Sequence, residues 1–228
     1  MKAKIRGDLL PILDVELSKG ESMFTETGGM AWMSSNISME TNAKGGIMQS
    51  IGRAFAHESI FMTTYTCDEG TGIISFCSEF PGKIVKHVLK QGESLICQKD
   101  AFMAGTTGIN VKAEFVKKLG AAFFGGEGFF LQRVMGPGTV YLEFPGEMTE
   151  YTLKPGQRLK VDPGYIGAFE PSVKYDIARV KGIKNIFLSG EGLFVASLEG
   201  PGKIWLQSMP LSNLAKKIYP YLPKKKNK

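Results

Sequence analysis

Runs of four to eight residues rich in Val, Ile, Leu, Phe, Tyr and Thr alternate along the chain with clusters of glycine, proline and polar residues. Ten stand out: "ILDVEL" from Ile12, "IFMTTYT" from Ile60, "GIISFCS" from Gly72, "GINVKAEF" from Gly108, "FFLQRVM" from Phe129, "TVYLEF" from Thr139, "RLKV" from Arg158, "VKYDIARV" from Val173, "LFVASL" from Leu193 and "KIWLQS" from Lys203. Their length and their breakers predict strands, and their regular spacing predicts an all-β sandwich or barrel. Pro-Gly at 81–82, 145–146, 155–156 and 163–164 predicts tight turns, because proline presets φ at the first corner and glycine accepts a positive φ at the second. Gly136-Pro137-Gly138 and Gly200-Pro201-Gly202 each separate two strands, which predicts hairpin loops.

One stretch has helical spacing. Leu211, Leu214, Ala215 and Ile218 fall at i, i+3, i+4 and i+7, predicting a short amphipathic helix over 210–220 that docks on the sheet. Ser212 or Asn213 supplies a cap and Pro220 a stop, and 221–228 reads as a disordered basic tail.

The apolar pattern also repeats. "GGEGFFLQRVMGPGTVYLEF" from Gly125 and "SGEGLFVASLEGPGKIWLQS" from Ser189 agree at eight of twenty positions with no gap, 64 residues apart. The register extends upstream, setting Leu89 on Leu153, Gly92 on Gly156 and Leu95 on Leu159. A fainter copy precedes them: Gly20-Glu21-Ser22-Met23 matches Gly92-Glu93-Ser94-Leu95, and after three-residue adjustments Gly70-Thr71-Gly72 matches Gly136-Pro137-Gly138. The expectation is three internally repeated antiparallel β-sandwich units, at 1–78 (divergent), 79–143 and 144–209, in one compact body.

Composition narrows the function classes. The 228 residues are 43% hydrophobic and 22% charged, as in ordinary globular chains, while 28 glycines exceed the roughly 7% average and imply many turns. A charged, apolar leader and an apolar run long enough to span a bilayer are both missing from the sequence, so a cytoplasmic protein without a transmembrane segment is expected. The net charge of +6 sits at the C-terminal end: setting aside Lys216, Lys217, Lys224, Lys225, Lys226 and Lys228 leaves 22 basic and 22 acidic residues. A body of balanced charge lacks the basic footprint of a nucleic-acid-binding domain.

Two segments interrupt the strand rhythm at equivalent places, "KGGIMQSIGRAFAHESIF" from Lys44 and "VKKLGAAFFGGEGFF" from Val116. Their Ile47, Ile51, Phe55, Leu119, Phe123 and Phe124 are unusual for loops, which run over the surface and are mostly polar. Either they fill the core or they form an apolar surface for another subunit, a protein partner or a membrane surface. The third unit has Lys181 and Lys184 in the corresponding stretch, an asymmetry that points to an interaction surface and a homo-oligomer.

Candidate chemistry is sparse. His57 and His87 lie far apart with no His-x-His, so a metal site of the kind small β-barrel enzymes use is not expected. Cys67, Cys77 and Cys97 are odd in number and lack Cys-x-x-Cys spacing, which predicts reduced thiols. The nucleophile elbow and the phosphate-cradling glycine loop are also missing, so no cofactor is expected. The repeated carboxylates Glu58, Glu127 and Glu191 either close a shared turn or, if the units surround an axis, converge on a cation.

The glycine-rich apolar segment running into "GGEGFF", the two "GPG" motifs and the closing "WLQSMPLSNLAKKIYP" together resemble a family of uncharacterised proteins. It includes the mitochondrial biogenesis protein named for altered inheritance of mitochondria, and the likeness covers about residues 3–222. The resemblance implies a fold like that of the tryptophan RNA-binding attenuation protein, repeated within one chain, and no established enzymatic activity. The attenuation protein's tryptophan and RNA sites find no matching residues here. The expected function is a non-catalytic binding or scaffold protein; a sensor or enzyme with a pocket between units comes second, and binding of nucleic acid or an anionic surface by the lysine tail third.

Overall fold

A computed structural model of the chain describes residues 1–26, 28–42, 62–117, 129–179 and 194–223. Strands numbered in chain order form four antiparallel sheets. The first orders β1 (Lys2–Arg6), β2 (Ile12–Ser18), β7 (Thr71–Cys77) and β4 (Trp32–Met33). The second orders β5 (Ile37–Asn42), β6 (Met62–Cys67), β3 (Ser22–Glu26), β10 (Phe102–Thr106), β13 (Gly138–Pro145) and β8 (Gly82–Leu89). The third orders β11 (Asn110–Lys117), β12 (Phe129–Met135), β9 (Ser94–Gln98), β16 (Ile166–Phe169), β19 (Gly202–Gln207) and β14 (Met148–Leu153). The fourth orders β15 (Arg158–Val161), β18 (Phe194–Glu199) and β17 (Lys174–Arg179). The protein is therefore all-β, with one short α-helix among the described residues.

The sheets are layered. Leu13, Leu17, Ile74 and Phe76 of the first pack on Met23, Tyr65 and Tyr141 of the second. Phe24, Phe102, Leu142 and Phe144 of the second pack on Cys97, Val134 and Trp205 of the third. Ile96, Leu131 and Phe169 of the third pack on Ile177, Ala196 and Leu198 of the fourth. The two middle sheets are thus covered on both faces. Their central strands β10 and β16 are buried at nearly every residue, with none of the in-out alternation that marks a half-exposed strand.

One pairing scheme recurs along the chain. Leu17 stands opposite Gly72, Leu89 opposite Gly138, and Leu153 opposite Gly202. Likewise Ser22 faces Thr66, Ser94 faces Met135, and Arg158 faces Glu199. The turns between these strands match as well: Gly20, Gly92 and Gly156 hold φ of 81°, 82° and 75°, the left-handed region open to glycine. The next residue's side chain then closes each turn, as Glu21, Glu93 and Gln157 accept the backbone N–H of Ser18, Lys90 and Lys154.

Several expectations need correction. The two Gly-Pro-Gly motifs are not hairpins. Gly136-Pro137-Gly138 carries the chain from β12 in the third sheet to β13 in the second, and Gly200-Pro201-Gly202 from β18 in the fourth to β19 in the third. Their first glycine is a close approach of backbone to backbone, since a Cβ on Gly136 would lie 2.5 Å from the Lys90 carbonyl oxygen and one on Gly200 2.5 Å from that of Lys154. Of the four Pro-Gly pairs, 145–146 and 155–156 hold a glycine at positive φ, whereas Gly82 opens β8 and Pro163–Tyr165 is a turn of 3-10 helix. The helix α1 (Leu211–Ile218) forms, but Pro210 stands at its N-cap with no side-chain cap bond. It docks lightly: Leu211 and Leu214 are half-buried, Ala215 and Ile218 are exposed, and Pro220 lies within a following 3-10 turn, Tyr219–Tyr221.

Candidate functional site

Ile47, Ile51, Phe55, Glu58, Leu119, Phe123, Phe124, Glu127 and Glu191 all lie outside the described residues. The strands on either side of them are described. The pair Asn42 and Met62 brackets 43–61, Lys117 and Phe129 bracket 118–128, and Arg179 and Phe194 bracket 180–193. Each is the last register of an antiparallel pair, β5–β6, β11–β12 and β17–β18, which hold corresponding positions in the recurring scheme. The last described registers of the three pairs therefore fall at matching points.

Among the described residues, one cluster joins titratable groups to an aromatic. His87 on β8, at the edge of the second sheet, meets Trp205 of the third edge-on, with ring centroids 5.0 Å apart. The Trp205 indole N–H donates to Glu150 Oε2 at 2.8 Å, and Lys203 Nζ donates to Glu150 Oε1 at 2.7 Å. The Lys203 hydrogen bond, aided by that from Trp205, holds the Glu150 carboxyl below its usual range. Desolvation lowers the His87 pKa, and its Nε2 is buried with no hydrogen-bond partner. The cluster fastens the edges of two sheets together. His87 faces an indole, and among the described residues no hydroxyl or thiol is bonded to it.

A second polar site sits under α1. The Gln207 amide, buried, donates to Gln98 Oε1 at 3.2 Å and to the Gly164 carbonyl at 3.0 Å, while Gln98 Nε2 donates to the Pro163 carbonyl. Asp100, Leu211 and Ser212 line the shallow cleft beside it. At the matched position 64 residues earlier stands Glu143, whose carboxyl accepts from Ser78 Oγ at 2.7 Å. Burial raises its pKa, and Glu79 and Asp100 push the same way. The cysteines are free: Cys67 and Cys97 are buried, and burial pushes the Cys97 thiol up to about 12, which removes it as a nucleophile. Among the described residues, no three His, Cys, Asp or Glu side chains are grouped to hold a metal ion.

Sequence reasoning missed the His87 cluster because its members come from strands far apart in the chain. The polar pattern of β14, "MTEYTL", carried no local sign that Glu150 would meet an indole from β19.

The family model described as Mitochondrial biogenesis AIM24 matches residues 3–209. A protein of Streptococcus pyogenes serotype M6, described as uncharacterized, is 28% identical over 225 residues, covering 95% of this chain and 89% of its own. A crystal structure of a Streptococcus pyogenes protein superposes with a TM-score of 0.77 at 25% identity, over 97% of this chain and 99% of that one.

Proposed function

The chain belongs to the mitochondrial biogenesis AIM24 family, and we propose that it is a non-catalytic binding or scaffold protein, built of three units at 1–78, 79–143 and 144–209. It acts in the cytoplasm as a homo-oligomer, through the apolar segments that carry Ile47, Ile51, Phe55, Leu119, Phe123 and Phe124. One observation carries this reading. The described strands on either side of the three segments are corresponding pairs, so the segments join equivalent points of the chain, and in sequence the first two carry more apolar bulk than the third, which has Lys181 and Lys184. Two further facts agree with it: the polar clusters described above are engaged in structural bonds, and no described helix is long and apolar enough to cross a membrane.

Replacing Phe123 and Phe124 with serine tests the proposal by light scattering and thermal melting on one sample. A smaller particle with an unchanged melting temperature is the expected result. An unchanged mass with a collapsed melting temperature would place both rings in the core, where losing a phenylalanine costs about 3–5 kcal/mol, and would overturn the reading.

A further inference from the structure

The chain changes character halfway along α1. Its first turn is fastened to the body: Leu211 and Leu214 are half-buried, the backbone N–H groups of Asn213 and Leu214 donate to the Pro210 carbonyl at 2.9 and 3.1 Å, and Asn213 Nδ2 donates to the Tyr165 hydroxyl at 3.4 Å. From Ala215 to Pro223 every residue is exposed. That stretch holds Ile218, Tyr219, Tyr221 and Leu222, and its two tyrosines, 76% and 88% exposed, are the most exposed large apolar residues among those described. Its main chain is engaged with itself, since the Tyr219 N–H donates to the Ala215 carbonyl and the Leu222 N–H to the Tyr219 carbonyl. What stands uncovered is therefore side chain, and a pairing strand is not what would cover it.

The charge around this patch has one sign. After Glu199 the sequence holds no acidic residue, and Lys216 and Lys217 precede the four apolar side chains while Lys224, Lys225, Lys226 and Lys228 follow them. A bilayer that carries anionic phospholipid satisfies both features at once. Lysine ammonium groups stay with the lipid phosphates, each strengthening binding about fivefold near the surface. Tyrosine rings and aliphatic side chains settle at the headgroup level, where one end is apolar and the other wet. Either signal alone gives marginal, reversible attachment, and the two together hold. A nucleic acid uses the lysines and the rings but offers nothing to Ile218 and Leu222.

We propose that Ile218, Tyr219, Tyr221 and Leu222, with the lysines on either side of them, dock the protein on the surface of a bilayer rich in anionic phospholipid. The stretch lies in the headgroup layer and does not span it, for α1 has eight residues and a spanning helix needs about 20. Leu211, Leu214 and the Asn213–Tyr165 bond hold the start of the helix to the body, so its exposed end is carried at one place on the molecule. Tyr165, itself exposed, adds apolar surface at the base of the helix. Because lipid phosphates supply part of the attraction, salt weakens the attachment.

Sedimentation of the full chain with vesicles tests this, using phosphatidylcholine alone and an equal mixture of phosphatidylcholine and phosphatidylglycerol. The native protein should sediment with the mixed vesicles and stay in solution with the neutral ones. A variant combining Tyr219→Ser, Tyr221→Ser and Leu222→Ser, all at exposed sites, should bind the mixed vesicles at least tenfold more weakly, with an unchanged circular dichroism spectrum and melting temperature. A variant combining Lys224→Gln, Lys225→Gln and Lys226→Gln should lose at least as much. A native protein that stays in solution with the mixed vesicles would overturn the proposal. So would a serine variant that binds them as tightly as the native protein, because the lysines alone would then serve any polyanion, a nucleic acid included. A serine variant that forms a smaller particle than the native protein without lipid would also overturn it, by assigning the patch to a second copy of the chain. None of these outcomes bears on the Phe123 and Phe124 experiment.

Discussion

Residues 82–145 and 148–207 lay down six strands each in the same order and register, and matched positions in the two stretches carry different chemistry. Leu142 is fully buried, while Leu206 is half-buried. Glu143 holds a hydroxyl at Ser78, where Gln207 bridges Gln98 and Gly164. Half-buried His87 leans on Trp205, where Tyr151 is exposed. The backbone scheme rests on a few contacts that do not vary: a leucine opposite a glycine, a side chain closing the first turn, and a glycine where the chain crosses between sheets. The remaining positions answer to the layer beside them. The earlier stretch has sheets on both sides, whereas the later one contributes the outermost sheet of the stack.

The crossing glycines test the invariant part and should give the largest effects. Gly136→Ala and Gly200→Ala each push a methyl group to 2.5 Å from a carbonyl oxygen of the neighbouring turn, which only a backbone shift relieves. A loss of about 1–3 kcal/mol at each site is expected in denaturant titrations. A large loss at one and none at the other would break the equivalence of the two crossings.

The variable part is tested by Glu143→Gln, which puts the later stretch's amide into the earlier one. Because burial raises the Glu143 pKa, the unfolded chain releases this proton at lower pH than the folded chain does. Its penalty is therefore absent below the ordinary glutamate range, grows as pH rises from there to the raised folded value, and is constant above it. The variant should melt higher than the native protein at pH 7 and no higher at pH 4. A gain that does not depend on pH would mean that packing, not charge, distinguishes the two stretches.

Deleting 220–228 should have the smallest effect on folding. Its described residues Pro220–Pro223 are exposed, and it removes four lysines from a chain whose remaining charge is nearly balanced. The melting temperature should stay within about a degree, while salt-sensitive binding to heparin or anionic vesicles, if the native protein shows it, should disappear. Binding that persists in the truncated protein with a steep salt dependence would reveal a basic surface in the body.

Each of the ten runs read as a strand from its apolar content holds a strand among its described residues, because short β-rich runs between breakers have few other ways to bury themselves. Nine described strands, β1, β3, β4, β5, β8, β9, β10, β14 and β16, fall outside those runs, and three of them show why. "FMAGT" and "IGAF" are short, contain glycine and are buried on both faces, so no alternation marks them. β4 has two residues and exists only because β7 lies beside it. The Gly-Pro-Gly motifs misled for a related reason: strands adjacent in sequence usually pair, and here the second strand enters another sheet. The candidate carboxylates and apolar residues were found by repetition, which locates equivalent positions without saying what surrounds them.

By itself the amino-acid sequence determined the all-β class, the spacing at which the pattern recurs, the short C-terminal helix and the concentration of charge at the chain end. These follow from local properties: side-chain shape, glycine's access to positive φ and the period of apolar residues. Tertiary structure alone decided which strands share a sheet, that the middle sheets are buried on both faces, and that His87 meets Trp205 while Glu150 binds its indole. Those contacts join residues distant in sequence, and antiparallel pairing accepts many partners until packing on a second layer selects one.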